Sequence, residues 1–351
     1  MSDPRLLVRR AVREDLAGPS GADAVPADAL VLVACSGGAD SLALALAARA
    51  ERSRVGAVVV DHGLRAGSAD EASATAEQLR AAGLDPVEVV AVTVPEDSAD
   101  GPEAAAREVR HRALHATALR LGAAAVLLGH TLDDQAETVL LGLARGSGLR
   151  SLAGMPRARG LIRRPLLDLR RDVVRASLPA DAVVVDDPHN ADDRYTRARV
   201  RHRVLPVLER ELGPGVAEAL ARTAALARDD ADALAELADE VVWDLLHGAR
   251  DEGTLDVDSL AGLHRAVLSR VVRTWLVDAG CPPGSLSAAH VRRVTALVTA
   301  WKGQGGVALP GGVEAYRAYG RLCTRPTAPP LAGGVRPGQA GAGARSGVLP
   351  D

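Results

Sequence analysis

Leu30-Val31-Leu32-Val33-Ala34-Cys35-Ser36-Gly37-Gly38-Ala39-Asp40-Ser41 is the stretch whose reading decides the fold. Its first five residues form an unbroken apolar run, as in a strand buried on both faces. A glycine pair then turns the backbone, and an Ala/Leu-rich helix runs from Ala39 to about Arg52. Glycines let backbone N–H groups approach a phosphate, and a helix N-terminus adds partial positive charge. An ordinary βα turn with a Ser or Asp cap would account for Gly37-Gly38 alone. The complete run Ser36, Gly37, Gly38, Ala39, Asp40 and Ser41 favours a phosphate cradle instead. No Lys follows the glycines, so this is not the G-x-x-x-x-G-K-S/T loop.

Composition bounds the rest. A chain of 351 residues has room for two domains and a large core. There is no Phe, and six aromatics in all, so the core must be built from Ala, Val and Leu. The net charge of −3 gives no whole-chain case for nucleic acid, which leaves local Arg-rich runs to carry one. Cys35, Cys281 and Cys323 are scattered without a C-x-x-C pair, which argues against zinc ribbons, iron–sulfur ligation and disulfide scaffolds. The charged N-terminus lacks the apolar core of a signal peptide, and no apolar run approaches a membrane span. A cytoplasmic protein without membrane contact is expected.

Read in order, residues 5–16 form a short amphipathic helix, and a Gly/Pro/Ala/Asp linker follows. Strands are expected at 30–34, 55–61, 87–94 and 124–129, with helices at 39–52, 68–82, 102–121 and 132–144 between and after them. Residues 161–164 and 183–185 offer further strands around a helix from 168 to 178. Such alternation implies an α/β fold, a doubly wound parallel five-stranded sheet in the order 3-2-1-4-5. The crevice then opens between strands 1 and 4, where the two chemically richest loops emerge. The expected divisions are 1–27 as helix and linker, 28–213 as the nucleotide-binding domain, 214–324 as a smaller mainly helical domain, and 325–351 as a Gly/Pro/Ala-rich disordered tail. Within 214–324, residues 216–248 read as one long helix, and two short β-like runs flank Pro310-Gly311-Gly312.

Gly129-His130-Thr131-Leu132-Asp133-Asp134-Gln135-Ala136-Glu137-Thr138 ends the fourth strand. On a helix Asp133 and Asp134 share a face with Glu137. Acids at a helix start also serve as caps, but facing a phosphate crevice they favour a hard cation, which takes carboxylate and phosphate oxygens. Asp61-His62-Gly63 ends strand 2, where a nucleotide's base or ribose would lie. Arg145-Gly146-Ser147-Gly148 brings a guanidinium and glycines to the crevice, or merely caps a helix. Arg107, Arg110 and His111 share a helical face, either solvated or turned to a phosphate. The strongest nucleic-acid signal is Arg194 to Arg203, with five Arg and a His, preceded by Asp187-Pro188-His189-Asn190. Arg163, Arg164, Arg170 and Arg171 add to this basic region.

The Ser36 to Ser41 string resembles the SGGxDS motif of PP-loop ATP pyrophosphatases, which cut ATP between its α and β phosphates. Taken with residues 61–65, 129–138, Arg164-Pro165-Leu166-Leu167 and 187–206, it resembles the tRNA(Ile)-lysidine synthetase family over roughly residues 28–215. The resemblance implies ATP and Mg²⁺ as cofactors, and as partners free L-lysine and tRNA(Ile) with a CAU anticodon; it admits a homodimer. It implies adenylation of the wobble cytidine at O2, then attack of lysine's ε-amine at C2. Residues 36–41 would cradle phosphate, with Asp61, His62 and His130 at the nucleotide. Asp40, Asp133 and Asp134 would take magnesium or activation roles and Arg107 a catalytic one. Glu137, Arg145, Arg197, Arg199 and Arg201 would place lysine and tRNA. The chain departs from the family's usual pattern at His111, where the family often has Tyr, and at Ala198, where it often has Asn. The alternatives are a tRNA thiolase, which normally needs paired cysteines, a small-molecule ligase, which leaves the Arg194–Arg203 run unused, and a non-catalytic binding module, against which the intact acids argue.

Overall fold

The structure, a computed structural model, describes residues 3–18, 23–63, 67–95, 102–146, 148–185, 192–247 and 253–327. It divides into two units, Met1–Ala231 and Asp232–Asp351. The Asp187-Pro188-His189-Asn190 string, the Ser147 position and the tail beyond residue 327 lie outside the described residues.

The first unit alternates strands and helices: α1 (Pro4–Ala17), β1 (Val31–Ala34), α2 (Ala39–Glu51), β2 (Val55–Asp61), α3 (Ser68–Ala81), β3 (Val87–Ala91), α4 (Pro102–Leu121), β4 (Ala125–Leu128) and α5 (Leu132–Ala144). There follow α6 (Leu149–Leu152), the short strands β5 (Ala158–Arg159) and β6 (Ile162–Arg163), α7 (Arg171–Ala176), α8 (Thr196–Arg199) and α9 (Leu205–Leu212). The sheet runs β3-β2-β1-β4-β6-β5, parallel except for β5. The sheet thus has six strands, not five. Residues 161–164 supply the outer parallel strand as expected, and β5 folds back on it through a turn at Gly160. Residues 183–185 form no strand, because that edge is already taken; the Val185 N–H bonds instead to the Gly37 carbonyl at 3.0 Å.

Strand alternation sends Val31 and Val33 to one face and Leu30 and Leu32 to the other. The first face packs on α1, α2, α3 and α7 through Val12, Leu42, Leu44, Ala48, Leu79 and Val174. The second packs on α4 through Leu114 and Ala118. Alanines at 43, 45, 47 and 48 let α2 lie close to the sheet in a chain without Phe.

α10 (Val216–His247) carries the chain into the second unit. There β7 (Leu255–Asp256), α11 (Val257–Ala261), α12 (Arg265–Asp278), α13 (Ala288–Thr299), β8 (Val307–Leu309), β9 (Val313–Ala318) and β10 (Arg321–Pro326) surround the buried Trp275. The two β-like runs anticipated around Pro310 become an antiparallel four-stranded sheet in the order β7-β10-β9-β8. The unit is therefore helical with a small sheet. No helix among the described residues is long and apolar enough to cross a membrane.

Candidate active site

The turn from β1 to α2 is built around two residues. Gly37 sits at φ +81°, and a Cβ there would come within 2.6 Å of Thr75 Oγ1 and 2.8 Å of Val185 Cγ2, so both conformation and space require glycine. Ser41 is buried beneath the turn. Its hydroxyl donates to the Gly38 carbonyl at 2.9 Å, accepts from the Ser36 N–H at 3.2 Å, and lies 3.3 Å from Ser36 Oγ. α2 starts with no side-chain cap, so its first N–H groups stay open to an anion. Gly129, which follows β4, packs hard against this helix start: a Cβ on it would meet the Asp40 carbonyl at 3.0 Å and Ser41 Cα at 3.1 Å. The loops after β1 and β4 are therefore in contact.

α5 begins with a capping box. Asp134 Oδ2 accepts from the Thr131 N–H at 2.8 Å and from its hydroxyl at 2.9 Å, while Oδ1 accepts from Arg171 at 2.9 Å and Arg201 at 3.0 Å. One turn on, Glu137 is 0% exposed, and three guanidiniums converge on it: Arg201 at 2.7 Å, Arg197 at 2.9 Å and Arg171 at 3.2 Å. Asp133 accepts from the backbone N–H of Arg171 at 2.7 Å and lies 3.2 Å from the Arg170 guanidinium. It caps α7 from across the site, since Arg170 at the N-cap position offers no side-chain acceptor. Arg171 Nε also approaches Asp40 Oδ2 at 3.5 Å. Arg171 thus joins the phosphate loop to every acid of α5.

The charges fall into two zones. Burial alone would raise the Asp134 carboxyl, but Arg171 and Arg197, with His130 and the Thr131 N–H, outweigh it and hold it at about 2. Burial pushes the Asp40 carboxyl up, and Arg171 and Arg175 offset this only in part. On the other side lies an excess of cations. Burial drives His130 down to about 3 and His111 to about 4, with neighbouring arginines adding to the shift. Arg110 and Arg164 fall to about 10 through burial and their mutual repulsion with Arg107. Arg164 Nε donates to His130 Nδ1 at 3.3 Å, which makes His130 a neutral acceptor. Arg110 Nε is buried without a hydrogen-bond partner. Among the described residues no acid pairs with Arg110 or Arg164, and cations gathered in this way form a site for an anion.

Several expected residues fall elsewhere. Arg197 and Arg201 are not a solvated phosphate-binding row but ion-pair partners of Glu137 and Asp134. A π turn over Val200–Val204 follows Arg197 and contains Arg201; such turns often mark functional sites. Arg199 points away and braces its own loop, donating to the carbonyls of Asp193 at 2.6 Å and Arg194 at 3.0 Å. Arg145 is exposed at the far end of α5, about 18 Å from Asp133 at 1.5 Å per residue, and so stands apart from the acids. Asp61 accepts from the Gly63 N–H at 3.0 Å beyond β2. Ala198 is buried where an Asn side chain would need partners. Gln135, which the sequence groups with the acids around a cation, instead spends its amide on the Met155 backbone, donating to the carbonyl at 3.0 Å and accepting from the N–H at 2.7 Å. The role of Arg171 went unread, although two arginines at a helix start oppose the helix dipole and so signal an unusual demand.

The PP-loop domain family matches residues 18–208, and the TilS substrate binding domain family matches residues 255–323. The tRNA(Ile)-lysidine synthase of Streptomyces coelicolor is 54% identical over 316 residues, covering 88% of each chain. That of Thermobifida fusca is 53% identical over 324 residues, 91% of this chain and 97% of the other. The chain belongs to the tRNA(Ile)-lysidine synthase family. Its fold is similar to that of a solved structure, the U34-tRNA thiolase NcsA from Methanococcus maripaludis with its 4Fe-4S cluster. That match has a TM-score of 0.51 and 19% identity over 62% of this chain and 77% of that one, a likeness of fold alone.

The acids of the site bear unequally on a divalent cation. Among the described residues no three His, Cys, Asp or Glu side chains converge as a ready-made site. Asp133 and Asp134, two of the three acids assigned to magnesium from sequence, already spend their oxygens on Thr131, Arg170, Arg171 and Arg201. Asp40 differs: its Oδ1 is buried without a hydrogen-bond partner. A single carboxylate beside a phosphate cradle fits magnesium, which commonly binds through one or two carboxylates plus phosphate oxygens.

Proposed function

We propose that this chain ligates free L-lysine to C2 of the wobble cytidine of tRNA(Ile) with a CAU anticodon, through an adenylated cytidine, releasing pyrophosphate and AMP. The observation that carries this reading is the Arg171 bridge, which sets the phosphate loop and its Asp40 against the amine-binding acids Asp134 and Glu137 in one cleft. ATP use belongs to the PP-loop domain, and tRNA to the substrate binding domain at residues 255–323.

The open N–H groups at the uncapped start of α2, residues 38–41, hold the triphosphate. Magnesium, held by Asp40, would offset the charge of the departing pyrophosphate. Arg110 and Arg164, without acid partners among the described residues, stabilise negative charge as the cytidine oxygen attacks the α-phosphate. Neutral His130 and exposed Arg107 line the same cationic side. Glu137 and Asp134 receive the charged amine of lysine, for which buried carboxylates are the natural partners. The ammonium gives up a proton to one of these carboxylates, the free amine attacks C2, and adenylate leaves as AMP, so alignment, charge and one proton transfer carry both steps.

Purified chain, ATP, magnesium and radiolabelled lysine are expected to label a CAU-anticodon tRNA(Ile) transcript, and a tRNA(Met) transcript far less. No lysine label, with sulfur transfer in its place, would overturn the reading in favour of a thiolase. A cytoplasmic monomer or homodimer is consistent with it, and sedimentation would separate the two.

A further inference from the structure

The seam between α2 and α7 contains two buried polar atoms without hydrogen-bond partners, Asp40 Oδ1 and Arg171 Nε. They belong to side chains that are only loosely paired, Arg171 Nε lying 3.5 Å from Asp40 Oδ2. The same guanidinium holds its other acids tightly, with Nη2 at 2.9 Å from Asp134 and 3.2 Å from Glu137. A buried donor left unsatisfied is costly, so this half of Arg171 is made for a partner that arrives later. The partner must accept a hydrogen bond, and it must lie beside a phosphate cradle.

Glu137 poses the complementary problem. With Arg171, Arg197 and Arg201 all on its two oxygens, it has no room for an ammonium group until one guanidinium leaves. Among the described residues Arg197 and Arg201 pair only with Asp134 and Glu137; of the three guanidiniums on Glu137, Arg171 is the one that also pairs with Asp40, whose Oδ1 lies 3.6 Å from Arg175 Nε. Arg171 can move without unravelling its helix, because Asp133 pins its backbone N–H at 2.7 Å while the side chain swings.

We propose that Arg171 is an interlock: a phosphate oxygen of the nucleotide takes its Nε–H, draws the guanidinium off Glu137 and Asp134, and so opens these acids to the incoming amine. This rests on the reading of Glu137 as the amine-side acid. Arg171 is a positioning residue that makes nucleotide binding and amine binding favour each other, and it places the nucleotide first. By linkage the effect is reciprocal: lysine tightens nucleotide binding by the same factor.

The test is calorimetric binding of L-lysine without tRNA, with and without saturating α,β-methylene-ATP and magnesium, an analogue that cannot be cut between its α and β phosphates. In the wild-type chain the analogue is expected to tighten lysine binding about 5-fold or more. In Arg171→Gln the acids are already open, so lysine binds without the analogue about as tightly as it does to the loaded wild type, and the analogue adds less than about 2-fold. Loss of packing alone would weaken lysine binding rather than free it from the nucleotide. Arg171→Lys, which keeps the charge but not the fork, is expected to lose most of the coupling at an unchanged melting temperature, and covers the case in which the Gln variant does not fold. A 5-fold coupling that survives in both variants overturns the interlock, as does a wild type that binds both ligands independently. Lysine binding that is unaffected by Glu137→Gln overturns instead the underlying assignment of Glu137.

Discussion

Glu137→Gln tests the acid–arginine group most sharply. Glu137 is fully buried, and its two oxygens serve Arg171, Arg197 and Arg201 within 2.7–3.2 Å. Glutamine keeps the shape and one acceptor oxygen but removes the charge, and its amide donors then face guanidiniums. Removing one partner from a buried ion pair costs about 3–5 kcal/mol, since the remaining charges stay buried. Asp134 remains as a partial counter-charge, so the lower end, about 3 kcal/mol, is expected. For a unit of this size each kcal/mol moves the melting temperature by about 2–4 °C, which gives a drop of roughly 6–12 °C. Scanning calorimetry of the wild type and the variant reads this directly. Adding Arg197→Gln is expected to restore part of the loss, because the orphaned charge is then removed as well. A variant melting within 1 °C of wild type, or a double variant showing purely additive losses, would refute the picture of Glu137 as a charge held under three arginines.

Other perturbations separate stability from function. Asp40→Asn is expected to leave melting unchanged or higher, since burial raises that carboxyl in the folded state, while turnover falls on the order of 100-fold and loses its magnesium dependence. Gly37→Ala forces a side chain into the left-handed region and against Thr75, at about 1–2 kcal/mol for the conformation alone, and equilibrium dialysis should show weaker ATP binding. Arg110→Met removes a buried cation that faces other cations; it is expected not to destabilise the fold but to slow adenylation of the tRNA on the order of 100-fold, seen by single-turnover transfer of label from α-labelled ATP. His130 and His111 are held at about 3 and 4, below an unfolded value near 6.5, so the unfolded chain binds more protons in between. Stability should therefore fall as pH drops from 6.5 towards 4, by up to about 1.4 kcal/mol per unit for each histidine, and His130→Gln should flatten the slope measured by urea titration.

Much of this architecture was legible in the sequence because its signals are local. The apolar run at 30–34 and the glycine pair after it fix a βα turn by sterics alone, and the acids at 133, 134 and 137 fall on a helix by spacing. What escaped is of two kinds. The strand Ala158–Arg159 is two residues long and shows no alternation; only antiparallel pairing with Ile162–Arg163 makes it part of the sheet. The partners of the arginines are set by tertiary placement: Arg197 and Arg201 lie 60 and 64 residues from Glu137, and nothing in an Arg-rich string says whether it meets phosphate or carboxylate. Arg199, in the same string, turns to its own loop instead.

The most direct measurement of the central claim follows the α-phosphate. With α-labelled ATP, magnesium and a CAU-anticodon tRNA(Ile) transcript but no lysine, the label is expected on the tRNA, and added lysine should chase it into AMP as lysidine forms. Label that never joins the tRNA while lysine is still incorporated would contradict the account: adenylation of cytidine would then not precede amine attack, and the joined phosphate and acid halves of this cleft would have no shared reaction to perform.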